Sequence, residues 1–178
     1  MTPLVLTLIG DDKPGLVNAA SATVAAHGGT WLESRLARLS GKFAGIVLIA
    51  APDAQTGDLI AALRGLEGSG LKVAVERGAA PEAQGAQGAP AESVRLLDIE
   101  IVGHERPGIV RDLTQALKNL GANIEDFSSG LESAAFTGAE MFRAEIRVRL
   151  PEPLAPAEVR RTLERLAGEI MVDLTLRD

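Results

Sequence analysis

Residues 10–17 read GDDKPGLV, and residues 103–110 read GHERPGIV. A glycine, three polar residues, then Pro-Gly and two aliphatics thus occur twice, 93 positions apart. Working outward from these stretches extends the repeat. Upstream, Leu4, Leu6 and Leu8 alternate with Val5, Thr7 and Ile9, and they map onto Leu97, Ile99 and Ile101. Period-two alternation of this kind reads as a β-strand with one face buried. Downstream, Leu16, Ala20, Thr23, Val24 and His27 recur as Ile109, Leu113, Ala116, Leu117 and Leu120, the stripe of an amphipathic helix, and a glycine, Gly28 or Gly121, ends each run.

The pattern continues in register. TWLESRLARLSGKFAGIVLIAAP alternates, turns at SGK and alternates again, a hairpin signal; NIEDFSSG to EMFRAEIRVRLP is its counterpart, with a longer connection through LESAAFTG. A second helix follows in each half, QTGDLIAALRGLEG or APAEVRRTLERLAG, and LKVAVE or IMVDLTL closes it as a strand. The order is β-α-β-β-α-β, twice. The fold class is therefore α+β: two ferredoxin-like units, each an antiparallel four-stranded sheet with both helices on one face. The domains are expected at 1–77 and 94–178. Residues 78–93, rich in Ala, Gly, Pro and Gln, form a flexible linker. A coil of that length spans about 23 Å. Units of about 75 residues are marginal alone, so pairing of halves or of chains, a homodimer, is expected.

The turn is where chemistry concentrates. Proline suits the first helical position, and the residue before it, Lys13 or Arg106, then becomes the N-cap by backbone geometry. Neither Lys nor Arg carries an acceptor, so the N–H groups of Gly15, Leu16 and Val17, or of Gly108, Ile109 and Val110, are left at the positive end of the helix. A carboxylate fits there. Asp11 and Asp12, or Glu105, lie just upstream and could accept from an ammonium, completing the complement of an amino-acid zwitterion. His104, in the second turn, can bond a ligand carboxylate or face solvent. The residues alone equally allow a structural helix start whose glycine packs on the sheet.

Other readings find little purchase. Zero cysteines exclude disulfides and thiol catalysis, and two histidines make a poor metal inventory. His27 and Trp31 align with Leu120 and Ile124, which points to packing. No nucleophile elbow, Walker loop, HExxH pair or dinucleotide fingerprint occurs, so neither an enzyme nor a cofactor is indicated. A net charge of −6, a pI near 5.0 and five aromatics without a stacking signature argue against nucleic acid. With no apolar run near 18 residues and no basic, cleavable start, a cytoplasmic protein that does not contact membranes is expected. In VRRTLER, Arg160, Arg161 and Arg165 alternate with Glu158 and Glu164, a mixed solvated face.

The repeated unit, the DKPGLV and ERPGIV turns, and the GGTW and GANI entries into the second strand resemble the ACT domain, a regulatory module that typically binds amino acids. Two such domains with only a linker between them resemble the glycine cleavage system transcriptional repressor family. The resemblance implies a ligand against the strand-to-helix turn, often across a domain interface. It implies a side-chain amide at the start of the second strand: Asn123, with Thr30 in the first half. Many ligand-binding members carry an asparagine two residues before the turn proline, where this chain has Asp12 and Glu105. The implied function is amino-acid sensing, with glycine or a similar ligand, relayed through a protein partner such as a DNA-binding regulator. The alternative is a ligand-free interaction module of the same fold.

Overall fold

Alternation along residues 2–11 does what elementary β-geometry requires: Leu4, Leu6 and Leu8 are fully buried while Thr7 and Ile9 point outward. The computed structural model describes residues 1–78, 95–133, 140–152, 154–170 and 172–177. The chain divides into two compact units, residues 1–88 and 89–178. Residues 79–93 of the expected linker and residues 134–138 of the expected hairpin connection lie outside the described residues.

In the first unit, β1 (Thr2–Asp11), α1 (Leu16–Ala26), β2 (Thr30–Leu39), β3 (Lys42–Ala51), α2 (Thr56–Gly65) and β4 (Leu71–Arg77) follow in order. The second unit repeats them as β5 (Arg95–His104), α3 (Ile109–Asn119), β6 (Asn123–Ser133), β7 (Glu140–Leu150), α4 (Pro156–Ile170) and β8 (Val172–Arg177). The sheets run β2-β3-β1-β4 and β6-β7-β5-β8, antiparallel throughout, which is the split βαβ plan. Two boundaries move from expectation. The second helix of the first half stops at Gly65 and tightens into a 3-10 turn over Leu66–Ser69, and the last strand starts at Val172 rather than two residues earlier.

Each unit has its own core. Leu4, Leu6 and Leu8 meet Leu16, Ala20 and Val24 of α1 and Leu59 and Leu63 of α2. Leu97, Ile99 and Ile101 meet Ile109, Leu113 and Leu117 of α3 and Val159 and Leu163 of α4. Full burial of one such aliphatic side chain is worth about 1.5–3 kcal/mol. The helices end alike: Gly29 N–H bonds Val24 C=O at 2.9 Å, and Ala122 N–H bonds Leu117 C=O at 3.1 Å, the six-to-one bond of a Schellman closure. The edge strands are bulged at equivalent places, between Trp31 and Glu33 and between Ile124 and Asp126. No described helix is long and apolar enough to cross a membrane.

Candidate functional site

Neither helix begins at its proline. Helix α1 starts at Leu16 and α3 at Ile109, and the N-caps are Gly15 (φ 95°, ψ −4°) and Gly108 (φ 88°, ψ 3°), both left-handed and without a side-chain cap bond. Pro at the second place of a four-residue turn and a left-handed glycine at the third define a type II turn. In the second unit its closing bond is present, Ile109 N–H to Arg106 C=O at 3.3 Å. The expectation that Lys13 and Arg106 are N-caps is therefore corrected. Proline's fixed φ suits the second place of a type II turn as well as a helix start, and the glycine after it decides between them. Ile109 N–H is spent inside the turn.

The turn borders a groove. Glu105, Arg106, Pro107, Gly108, Ile109 and Val110 form one wall, and Ser129, Gly130, Leu131 and Phe142 form the other, around a volume of about 330 Å³. Ser129 and Leu131 lie on the edge strand β6 and are exposed. Two cations flank the helix start. Arg106 donates to Asp112 at 2.6 Å, and Arg111 donates to the other oxygen of that carboxylate at 2.8 and 3.0 Å. Hydrogen bonds from Arg106 and then Arg111 hold the Asp112 carboxyl below its ordinary value. A Cβ on Gly108 would sit 3.5 Å from the Arg111 guanidinium, so this cation passes beside the turn. Two guanidiniums share one carboxylate at a helix N-terminus; Glu105 on the same wall balances the side-chain charges, and the positive end of the helix is what suits a ligand carboxylate.

The first unit has the same backbone turn with different chemistry. Asp11 is held by Lys42 of the hairpin, and Asp12 accepts from Arg38 at 3.1 Å. The hydrogen bond and charge of Lys42 keep the Asp11 carboxyl below its ordinary value. Asp12 also donates its N–H to Gly41 C=O at 3.0 Å. These acids, read as acceptors for an ammonium, are already engaged by the β2–β3 hairpin, whose tight turn through Ser40 and Gly41 lies beside them. Lys13 stays exposed.

Several candidates are placed apart. Asn123 opens β6 opposite Arg149, whereas the turn follows His104, which lies opposite Met141. Eight residues along β7 separate those rows, about 27 Å. Asn123 is thus not across from the turn of its own unit, and its amide donates to Glu125 at 3.0 Å. Thr30, opposite Ala50, is equally far from Asp11, opposite Lys42. The cause is topological: the second strand runs in the direction of the first, so its start lies at the end away from the turn. Leu16 and Ile109 are core residues, 8% and 4% exposed, and can offer a ligand only backbone. His104 is exposed at the end of β5. His27 caps α1, a ring nitrogen 2.8 Å from Thr23 C=O, and Trp31 packs on the first core. Sequence reading missed Ser129, Leu131 and Phe142, which reach the turn only through sheet register. Arg111 and Asp112 sat within one helical turn of the motif and were legible as a charge pair absent from the first repeat, where Asn18 and Ala19 stand.

The ACT domain model matches residues 2–76 and 95–176. The chain is similar to the crystal structure of an unknown protein from Galdieria sulphuraria, with 30% identity and a TM-score of 0.82 over 99% of this chain and 97% of that one. It shares 18% identity and a TM-score of 0.72 with the structure of a candidate glycine cleavage system transcriptional repressor, over 99% of this chain and 96% of that one. No curated protein sequence matches. With two matched units and the βαββαβ topology in each, the chain belongs to the ACT domain family, as a tandem pair.

Proposed function

We propose that this chain is a regulatory protein that senses a small amino acid in its second unit and passes the signal to a protein partner. The observation that carries this reading is the groove of about 330 Å³ at the second turn, with left-handed Gly108, the exposed helix start and the Arg106–Asp112–Arg111 cluster on one wall. A carboxylate would lie at the helix start, and Glu105 beside it would accept from the ammonium. A groove of about 330 Å³ admits any amino acid, so its size does not select the ligand; glycine is the first candidate on the resemblance to the glycine cleavage repressor family. The first turn is structural, because Lys42 and Arg38 already neutralise its acids. Asn123, at the far end of its own sheet, is not part of this groove. The partner is a protein such as a DNA-binding regulator, in a cytoplasmic setting and without catalysis; a net charge of −6 offers no track for DNA phosphates, which favours a protein partner over direct DNA contact.

The test is thermal unfolding of the full chain with each of twenty amino acids. A ligand at a hundred times its dissociation constant adds about 2.7 kcal/mol if it binds only the native state. Ser129→Phe fills the groove from an exposed strand position and should abolish the response while leaving the unliganded melting point in place. Gly108→Asp is a poorer probe, since φ 88° strains any side chain there whatever binds. No response to any amino acid, or an undiminished response in Ser129→Phe, rejects the site.

A further inference from the structure

The shared topology lets the outer sheet faces, away from the helices, be compared row by row. In the second unit, Asp98 stands opposite Arg147, Glu100 opposite Glu145, and Val102 opposite Arg143. Arg147 grips Asp98 at 2.7 and 3.1 Å, Arg143 meets Glu100 at 2.7 Å, and Arg177 reaches the same carboxylate at 3.4 Å. That face is built for water. At the equivalent positions of the first unit stand Val5 opposite Leu48, Thr7 opposite Ile46, and Ile9 opposite Ala44. Ala37 on β2 and Ala74 on β4 widen the stripe. Ile9 and Ile46 are 48% and 51% exposed. Among the described residues, charges stand at the margins: Glu33 and Arg35 on β2, Lys72 and Glu76 on β4, and the paired Asp11 and Lys42 in the row beyond Ile9. One backbone plan thus carries two opposite surfaces, and a contiguous exposed apolar stripe with a charged rim marks an interaction site.

We propose that the outer face of the first sheet is where two copies of this chain pair, sheet against sheet. The face is complementary to itself. A two-fold axis across the strands through the Thr7–Ile46 row sets that row on its own copy and lays Leu48 over the partner's Ala44 and Val5 over the partner's Ile9. The same operation brings Glu76 to the partner's Lys72, twice, once for each copy, and sets Arg35, with Glu33 beside it, over the partner's Arg35 at the solvated rim. Leu48 over Ala44, Val5 over Ile9 and the Ile46 pair on the axis fill the layer of about 10 Å between packed sheets. The equivalent face of the second unit would bring Arg147 and Asp98 out of water with nothing to replace it. The inference does not depend on the ligand reading.

Four strands about 4.8 Å apart and three outward rows about 7 Å apart give roughly 400 Å² on each copy. A standard interface buries about 800 Å² per partner, so the dimer is weak and sedimentation should span about 1 to 200 μM. The wild type is expected to move from the 18.6 kDa species towards twice that mass across the range. Ile46→Arg should stay monomeric throughout, while Glu145→Arg, its counterpart on the second sheet, should behave as wild type. The chain has no cysteine, so Thr7→Cys supplies a unique thiol on the proposed axis. A bismaleimide spanning the layer should join two Thr7→Cys chains and fail to join Ser128→Cys chains, whose thiol lies on the second unit's outer face. This readout does not require Ile46→Arg to fold. A wild type monomeric at every concentration, as when the chain's own second unit or another protein covers the face, overturns the proposal. So does a Thr7→Cys chain that does not cross-link.

Discussion

Replacing Gly15 with alanine separates two descriptions of the turn by the sign of one number. If Pro14 occupied the first helical position, Gly15 would sit inside the helix, and alanine would stabilise the first unit by about 0.5–1 kcal/mol. In the structure Gly15 is an N-cap at φ 95°, and a Cβ there meets nothing within 4 Å. No contact is gained or lost, so the backbone alone sets the effect. An L-residue in the left-handed region costs about 1–2 kcal/mol. Loss of unfolded-state freedom returns about 0.4–1 kcal/mol. The expected net is a destabilisation of about 1 kcal/mol. For a unit of this size that lowers the melting temperature by about 4–8 °C. Gly15→Asn should cost less, because asparagine tolerates left-handed backbone. Thermal and urea unfolding of the three chains measure the order. Alanine at or above wild-type stability, with asparagine below it, refutes the left-handed cap at the first turn.

Three further outcomes follow from the same geometry. Asp112 is held below its ordinary pKa by Arg106 and then Arg111; a depressed carboxyl stabilises the fold above its unfolded value, and the contribution fades as pH falls through the folded one. Asp112→Asn should therefore unfold more readily than wild type at neutral pH, and the two urea midpoints should converge well below pH 3.8, the ordinary value. Leu113→Ala and Leu59→Ala each empty a fully buried site and should cost about 2–5 kcal/mol, seen as a shift in the urea midpoint. In mobility shifts over a salt series the purified chain should show no sequence-selective DNA binding; tight selective binding would reject the partner reading.

Much of this protein was written in periodicity. Alternation at Leu4, Leu6 and Leu8, the stripe through Leu16, Ala20 and Val24, and the return of both at a fixed offset settle the element order, because a strand or helix must bury one side and the period says which. The opening glycines of the quoted stretches were legible as turn residues, yet their reason is not local. A Cβ on Gly10 would lie 2.5 Å from Gly70 C=O, and one on Gly103 would lie 2.3 Å from Val172, contacts created only when the fourth strand docks. Register likewise decided what lies beside the turn. The family pattern suggested Asn123 beside the turn, but sheet order carries it to the opposite end and brings Ser129 and Leu131 instead. The division between an apolar outer face and a charged one was present as letters, Leu48 against Arg147 and Ile46 against Glu145. It became a surface only once antiparallel pairing aligned those residues into rows, since neighbours across a sheet are set by hydrogen-bond register and not by distance along the chain.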